Sequence, residues 1–411
     1  MPGPGLMLIG EEEKKELLDV IESGCLYRYG NASDPKFKQK VLTLEKNFAE
    51  KIGVKHSLAV SSGTAALITA LMATEIGPGD EVIVPGYTFI ASITSIIFAR
   101  AIPILAEVDK TLTLDPEDVV KKITPRTKAI MLVHMLGNPG HLDEISKIAR
   151  ENNLLLVEDC AQACGASYKG KSVGTFGEIG AFSLNVYKTI TAGDGGIVIT
   201  DNEELYKRAF AIHDQGHLPL REGVEQGKRT ILGLNFRMNE LTAAVGIAQL
   251  KKLDKIKEIL QRNKKLLKNN LSKIDEIEFR EILDEKGDVG TLLTFFMPTI
   301  KSTRKLAKKI GSKIVSESGW HVYSNMEHLL NKMTITKEKC PFTCPYYKGN
   351  DIEYKKGMLP KTDDLLGRAI NISVGVVDPG LGSAFGININ STEEEIKEKS
   401  EILIKAIKES L

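Results

Sequence analysis

The sequence predicts an α/β fold built on a mainly parallel sheet, and the first reason is an alternation that begins at about residue 57. Short apolar runs rich in β-branched residues alternate with stretches of helical spacing such as TAALITALMAT and LDEISKIARENN. Strands that are joined through helices pair in parallel and are covered on both faces. The second reason is length, since 411 residues are enough for two domains of ordinary size.

Seven apolar runs are the candidate strands of a large seven-stranded sheet. In chain order they are SLAV, EVIVP, IPILAEV, KAIMLVH, LLLVEDC, GAFSL and GIVIT. Ligands of parallel sheets bind beyond the carboxyl ends of the strands. The residues that follow these runs are therefore where we expect the chemistry.

An amphipathic helix is predicted before the first strand, in EEEKKELLDVIESG. Leu17, Leu18, Val20 and Ile21 share one stripe of this segment, and Gly24 follows it as glycine follows many helices. We assign residues 1–30 to this N-terminal segment and its helix.

The regular alternation of predicted strands and helices ends after residue 200. One or two long helices are predicted in GLNFRMNELTAAVGIAQLKKLDKIKEILQRNKKLLKNNLSKI, with Leu250, Leu253, Ile256 and Leu260 at helical spacing. The basic residues of this stretch favour a solvated helix face over nucleic-acid binding, because interleaved aromatics and glycines are absent. The predicted boundaries are 31–255 for the large domain and 256–411 for a smaller C-terminal α/β domain.

The charge balance excludes a global attraction to nucleic acid or to an anionic membrane. The chain has 55 basic and 54 acidic side chains, a formal net charge of +1. No run of about 18 uncharged apolar residues occurs, and MPGPGLMLIGEEEKKE turns acidic where a signal peptide would be hydrophobic. We expect a cytoplasmic protein without nucleic-acid or membrane partners.

The cysteines predict no disulfide framework. They are few, odd in number and scattered along a long chain: Cys25, Cys160, Cys164, Cys340 and Cys344. Reduced thiols are expected.

Gly63 and Thr64 lie in SSGTAAL, a turn of small residues between the first predicted strand and a helix. Amide groups and a hydroxyl at a helix N-terminus can hold a phosphate. A Ser-Gly-Thr turn is also a common helix cap, so this turn alone leaves both roles open.

Asp159 ends an apolar strand, in VEDCAQA. A carboxylate at the tip of a buried strand needs a cation or hydrogen-bond donors to stay ionised, in either a structural or a functional role. Lys188 is a candidate partner, because FSLNVYKTITAGDGG places it between an apolar strand and a glycine-rich turn. Desolvation there lowers the pKa of an amine and frees it for Schiff-base chemistry, whereas most lysines are surface residues.

Phe89 follows the second predicted strand, in PGYTF. Its ring is suited to stack on a planar cofactor, although an isolated Phe is more often part of a core. Together the four features describe a site for pyridoxal 5′-phosphate: a lysine for the aldehyde, an acid for the pyridinium nitrogen, an aromatic over the ring and a turn for the phosphate.

Six motifs in this order resemble the DegT/DnrJ/EryC1/StrS family of fold-type-I sugar aminotransferases. They are SSGTAAL, VPGYTFIAS, HMLGNPGHLDEI, VEDCAQACG, FSLNVYKTITAGDGG and GLNFRMNELTAAVGIAQL. The resemblance is dense over about residues 10–275 and loose in the last third of the chain.

The resemblance implies a role for each matched residue. Lys188 and Asp159 would be catalytic, as the Schiff-base lysine and the partner of the pyridine nitrogen, and Phe89 would stack on the ring. The other implied cofactor contacts are Gly63, Thr64 and Ser183 at the phosphate, Gln162 near the phenolic oxygen, and Asn235 reaching the phosphate from a neighbouring subunit. A homodimer with shared active sites follows from that last role.

The last third departs from many members of the family, in WHVYSNMEH followed by CPFTC. With MPGPG, LYRYG and HDQGH, it is similar to the branch that aminates C8 of 3-deoxy-octulosonate sugars. A zinc site of His321, His328, Cys340 and Cys344 is disfavoured by its irregular spacing, and we predict no metal and a buried pair of ordinary thiols.

The function implied by the resemblance is transfer of an amino group from an amino acid, with glutamate expected, to a keto-sugar of surface-polysaccharide biosynthesis. The alternatives within the family are a nucleotide-linked keto-sugar or inosose acceptor, and a dehydratase in which histidine replaces the lysine. Lys188 argues against the dehydratase. A non-catalytic regulator is the alternative of another class, and it would require a broken cofactor site or a DNA-binding appendage.

Overall fold

The computed structural model describes residues 3–219, 228–376 and 385–411, and its elements follow the predicted alternation. The strands are β1 His56–Val60, β2 Glu81–Pro85, β3 Ile102–Ala106, β4 Thr127–Val133, β5 Leu155–Asp159, β6 Ser167–Tyr168, β7 Lys171–Ser172, β8 Ile179–Ser183, β9 Gly196–Thr200, β10 Glu278–Phe279, β11 Leu292–Phe296 and β12 Ala369–Ser373. The helices are α1 Glu11–Ser23, α2 Lys40–Ile52, α3 Gly63–Ala73, α4 Ile90–Phe98, α5 Pro116–Lys122, α6 Leu142–Glu151, α7 Glu203–His213, α8 Glu240–Leu271, α9 Ile300–Lys309, α10 Glu327–Leu330, α11 Pro360–Arg368 and α12 Glu393–Lys408.

The seven predicted runs form one seven-stranded sheet in the order β1-β9-β8-β5-β4-β2-β3. Among its strands β9 runs antiparallel to both neighbours, and the other pairs are parallel. The mainly parallel prediction is confirmed. Six carboxyl ends consequently meet at one edge, which brings Gly63, Asp159 and Ser183 together.

The core of the described residues falls into three clusters. One covers each face of the large sheet, because alternate residues of a strand point to opposite faces: Leu58 and Val60 belong to one cluster and Ala59 to the other. The third cluster joins β11 and β12 to α9, α12 and the end of α8. The antiparallel strands β10, β11 and β12 form the sheet of this C-terminal region.

Helix α8 resolves the choice between one and two long helices. It is a single helix of 32 residues, begun by Asn239, whose side chain accepts the Thr242 N–H. Leu250, Leu253, Ile256 and Leu260 are all buried, as the spacing predicted. The helix continues through the predicted domain boundary at 255/256, and the division into 1–30, 31–255 and 256–411 stays a prediction.

Helix α1 forms where predicted, but its apolar stripe is only partly covered. Val20 is fully buried against the rest of the chain, whereas Leu18 and Ile21 are 45% and 57% exposed. Within the described residues, no helix combines the length and apolarity that crossing a bilayer requires.

Candidate active site

A cavity of about 700 Å³ opens at the edge where the strand ends meet. Seven of the eight predicted cofactor residues line it: Gly63, Thr64, Phe89, Asp159, Gln162, Ser183 and Lys188. They lie at or after the ends of four strands, β1, β2, β5 and β8, and the parallel order of these strands brings them together.

Lys188 lies in the β8–β9 loop, where its N–H donates to the Asn185 carbonyl at 3.0 Å. Burial lowers the pKa of the Lys188 ammonium, and the negative charge of Asp159 only partly opposes this. Its Nζ lies 5.9 Å from the centroid of the Phe89 ring. The structure thus places the amine, the carboxylate and the aromatic ring in one cavity, with the amine shifted toward its neutral form.

Asp159 is 4% exposed at the end of β5. Its Oδ2 accepts the Ser92 hydroxyl at 2.7 Å, and its Oδ1 accepts the Ala161 N–H at 3.0 Å. Ser92 is itself bonded to the Thr88 hydroxyl at 2.6 Å. These contacts fix the carboxylate and use two of the roughly four hydrogen bonds that it can accept, so it retains capacity for a donor in the cavity.

Glu158, the neighbouring acid, makes a different set of contacts. Its Oε2 accepts His134 Nε2 at 3.0 Å and the Gly174 N–H at 2.7 Å. Its Oε1 accepts the N–H groups of Phe176 and Gly177, both at 2.7 Å. Burial raises the pKa of Glu158, but His134 and these backbone donors lower it further, and the net direction is down.

The ligand atoms of His134, Glu158 and Cys160 lie within 4.8 Å of one another, a spacing that could suit a metal ion. Nδ1 of His134 accepts the Gly140 N–H at 3.0 Å, so Nε2 carries the proton that is donated to Glu158. Both ring nitrogens and both carboxylate oxygens are therefore engaged within the protein. This arrangement is a hydrogen-bond network of the fold.

The phosphate side of the cavity is formed by the first turn of α3. Ser62 precedes it, and its hydroxyl accepts the Ala65 N–H at 3.0 Å. A Cβ on Gly63 would lie 2.6 Å from the Cβ of Ser183, so only glycine permits the helix start to approach that serine. The helix N-terminus, Thr64 and the Ser183 hydroxyl together suit an anion.

Gln162 accepts the Leu136 N–H through Oε1 at 3.0 Å. Its side-chain NH₂ is left to donate to a ligand in the cavity. Asn235, in contrast, is exposed and lies outside the residues that line the cavity of this chain. Its Oδ1 accepts the Arg237 N–H at 3.4 Å. A role for Asn235 in a neighbouring subunit stays a prediction.

Trp320 and His321, in the WHVYSNMEH segment, also line the cavity. The segment around them pairs with the loop after β2: Thr88 N–H donates to the His321 carbonyl at 2.9 Å, and Ile90 N–H donates to that of Trp320 at 3.0 Å. The Trp320 and Phe89 rings are nearly parallel, with an interplanar angle of 30° and centroids 6.4 Å apart.

His321 is neutral at physiological pH. Burial lowers its pKa to about 4, with a smaller contribution from the charge of Lys188. Its Nδ1 is bonded to the Ser318 hydroxyl at 2.9 Å. The unusual sequence WHVY was the signal for this wall of the cavity. Hydrophobic periodicity, however, could not show where in the fold the segment lies.

The residues of the disfavoured zinc site do not assemble. In the described part of the chain, the group whose ligand atoms lie close enough for a metal ion is His134, Glu158 and Cys160. It contains none of His321, His328, Cys340 and Cys344. The two cysteines are half-buried and free. The prediction of a buried thiol pair is therefore wrong, because the loop that carries them lies at the surface.

Comparison with known proteins identifies relatives of this architecture. The model of the DegT/DnrJ/EryC1/StrS aminotransferase family matches residues 8–376. GDP-perosamine synthase of Escherichia coli O157:H7 is 41% identical over 244 residues, which are 59% of this chain and 64% of that protein. L-glutamine:2-deoxy-scyllo-inosose aminotransferase of Streptoalloteichus tenebrarius is 39% identical over 236 residues, 55% of each chain. The match thus spans less than two thirds of these relatives.

Among solved structures, 3-amino-5-hydroxybenzoic acid synthase superposes with a TM-score of 0.78 at 28% identity. The superposition covers 98% of this chain and 97% of that one. The fold is that of the fold-type-I pyridoxal-phosphate enzymes, as the motifs implied.

Proposed function

This chain belongs to the DegT/DnrJ/EryC1/StrS aminotransferase family, and we propose that it transfers an amino group from an amino acid to a keto-sugar with pyridoxal 5′-phosphate as cofactor. The observation that carries the proposal is the meeting of Lys188 and Asp159 in one cavity with Phe89 and the start of α3. Each matches one part of the cofactor: the aldehyde, the ring nitrogen, the ring face and the phosphate.

The residues of the cavity fit this cofactor in charge as well as in shape. The amine of Lys188 has a lowered pKa, which favours the neutral nucleophile. Asp159 is held by Ser92 and Ala161 and keeps acceptor capacity for a ring N–H. Bound pyridoxal phosphate supplies an aldehyde for the lysine and a ring that withdraws electrons while its nitrogen is protonated.

The residues of the chain then have defined tasks. Asp159 holds the proton on the ring nitrogen, and Ser92 keeps the carboxylate in place. Lys188 anchors the cofactor and, once displaced by an amino acid, moves a proton on and off the reacting carbon as general base and acid. The α3 N-terminus and Ser183 bind the phosphate, which keeps the cofactor in the site between the two halves of the reaction.

A keto-sugar acceptor is supported by the relatives and by the wall of the cavity that Trp320 and His321 form. Trp320 is 65% exposed at this wall, and an exposed indole at the cavity suits the apolar face of a sugar ring. Neutral His321 can hydrogen-bond a hydroxyl. Within this class we propose an 8-oxo-octulosonate sugar, with glutamate as donor, in surface-polysaccharide biosynthesis.

A homodimer with shared sites is part of the proposal. Asn235 is exposed, as a residue that reaches into another subunit must be. Apolar side chains of the N-terminal region are also exposed in the single chain: Leu6, Ile9, Leu18 and Ile21 are 37–57% accessible. A second copy that covers them would bury apolar area and supply Asn235 to the phosphate.

The test begins with the purified chain and added pyridoxal phosphate. We expect visible absorbance, and borohydride should fix the cofactor on the peptide that contains Lys188. Glutamate alone should bleach this absorbance, and the keto-sugar should restore it. A chain that stays colourless, or that is labelled on another lysine, contradicts the proposal.

The acceptor class has its own readout, because Trp320 is the single tryptophan of the chain. An 8-oxo-octulosonate that binds against it should change its fluorescence with a midpoint that gives the Kd of that sugar. Nucleotide-linked keto-sugars and inososes serve as competitors. If one of them restores the absorbance and the octulosonate does not, the acceptor is wrong while the aminotransferase activity stands.

A further inference from the structure

A short segment at the start of the chain lies against the loop that carries Lys188. Residues 3–8, here termed the N-terminal strap, comprise Gly3 and the 3₁₀ helix Pro4–Leu8. Gly3 and Pro4 line the cavity together with Lys188. The Gly3 N–H donates to the Val186 carbonyl at 2.6 Å. The strap thus forms part of the cavity wall next to the loop that carries Lys188.

The contact between strap and loop leaves no room for a side chain. A Cβ on Gly3 would lie 2.3 Å from the Lys188 carbonyl oxygen and 2.6 Å from the Tyr187 carbonyl carbon. A Cβ on Gly5 would lie 2.8 Å from the Ile190 Cα. Non-bonded carbon atoms sit at about 3.5–4.0 Å, so either methyl must move the strap and the loop apart, and at Gly5 it would also meet Oε1 of Gln249.

Backbone conformation does not explain these glycines. Gly3 has φ −70° and ψ 173°, an extended conformation that any residue adopts. The requirement is close approach alone. Gly10, just beyond the strap, offers a matched comparison, because a Cβ there would meet nothing within 4 Å.

Helix α8 holds the strap and the lysine loop to the same support. Lys252 Nζ donates to the Leu8 carbonyl at 2.7 Å and pairs with Glu13 at 2.7 Å. Gln249, fully buried on the same helix, donates to Glu13 at 2.8 Å and accepts the Thr191 N–H at 3.2 Å. Strap, helix and loop are therefore linked by hydrogen bonds.

We propose that the N-terminal strap positions the reactive amine, and that Gly3 and Gly5 are positioning residues for Lys188. The proposal rests on the aminotransferase function proposed above. A methyl group at either glycine changes the packing of the strap against the loop backbone, and the Lys188 side chain that this backbone carries changes position with it. Displacements of about 1 Å at a reacting group can lower a rate by about 10²-fold.

The experiment compares Gly3→Ala and Gly5→Ala with Gly10→Ala in the full-length holoenzyme. We expect kcat to fall about 10- to 100-fold in the first two variants, with a smaller change in the KM of either substrate. The pH midpoint of the lysine–cofactor absorbance should shift in both, because the distance between Lys188 and Asp159 changes. Gly10→Ala should match the wild type in all three measurements.

Two outcomes would overturn the proposal. One is an unchanged kcat and pH midpoint in Gly3→Ala and Gly5→Ala. The other is a lower melting temperature with wild-type kcat per folded molecule, which would make the strap merely structural. If the alanine variants do not fold, Lys252→Met loosens the strap from α8 and should lower kcat and shift the midpoint in the same direction. Wild-type values in that variant would also refute the proposal.

A failure of the proposed function is distinguishable. If the wild-type chain takes up no pyridoxal phosphate, the reactivity of the Lys188 amine toward an acylating reagent, mapped by peptide across pH, still reports its position. A rate profile in Gly3→Ala equal to that of the wild type would then refute the strap on its own terms.

Discussion

Two acids at the end of strand β5 occupy opposite sides of the sheet and make opposite use of burial. Glu158 is 0% exposed and accepts four hydrogen bonds, from His134 and three backbone N–H groups. Asp159 is 4% exposed, accepts two and faces the cavity with Lys188. The difference teaches that burial alone does not mark a functional acid, whereas unused hydrogen-bond acceptor capacity beside a cavity does.

The largest effect is expected when Lys188, the partner of Asp159 in the cavity, loses its amine. Lys188→Ala should abolish both half-reactions, a loss of about 10³-fold or more, because the lost group is chemical. The fold should persist, because Asp159 keeps the hydrogen bonds that it accepts from Ser92 and Ala161 when the lysine side chain is removed. Stopped-flow absorbance with glutamate measures the first half-reaction. Full turnover in this variant would end the proposed mechanism.

The next effect separates the two acids. Asp159→Asn keeps the shape of the side chain but no longer holds a proton on the ring nitrogen, and we expect kcat to fall by about 10²-fold or more. The melting temperature should change little, because an amide can keep the contacts to Ser92 and Ala161. Unchanged kinetics would remove Asp159 from its assigned role.

Glu158→Gln should reverse that pattern. The amide NH₂ would face the donors of His134 and Gly174, and two buried donors would lose their acceptor. We expect a loss of about 2–4 kcal/mol in the free energy of unfolding. Denaturant titration measures this, with kcat per folded molecule near the wild-type value. A large drop in kcat without loss of stability would break the comparison.

The smallest effect concerns pH on the cavity side. His321 has a pKa of about 4 in the folded chain and an ordinary value of 6.5 when unfolded. The unfolded state therefore binds more protons between these values, and stability falls as pH drops from 6.5 to 4. In the apoprotein His321→Gln should reduce that fall by about 3 kcal/mol. A pH dependence of unfolding identical to the wild type would mean that His321 is not buried as a neutral ring.

The sheet and most of the site could be predicted because their signals are local. Each strand is a short apolar run, and parallel order carries Gly63, Asp159 and Ser183 to one edge without further information. Lys188 followed from one lysine set among apolar residues. These predictions depend on neighbours within a few positions along the chain.

The remainder depends on contacts between distant segments. Trp320 reaches the cavity by pairing with the loop after β2, and no periodicity connects residues so far apart. The strap was equally hidden, since a glycine chosen for close approach resembles any other glycine in a sequence. The prediction of a buried thiol pair was wrong for the same reason, because the residues around Cys340 and Cys344 do not indicate that they lie in a surface loop.

Helix α8 gives the molecule an uninterrupted rod of about 48 Å at the usual rise per residue. Its first half packs beneath the lysine loop through Gln249, and its last turns, at Leu267 and Leu271, enter the C-terminal core. A rod without a break carries no hinge. The C-terminal core is therefore joined to the lysine loop by one continuous helix, with no break at the predicted boundary between residues 255 and 256.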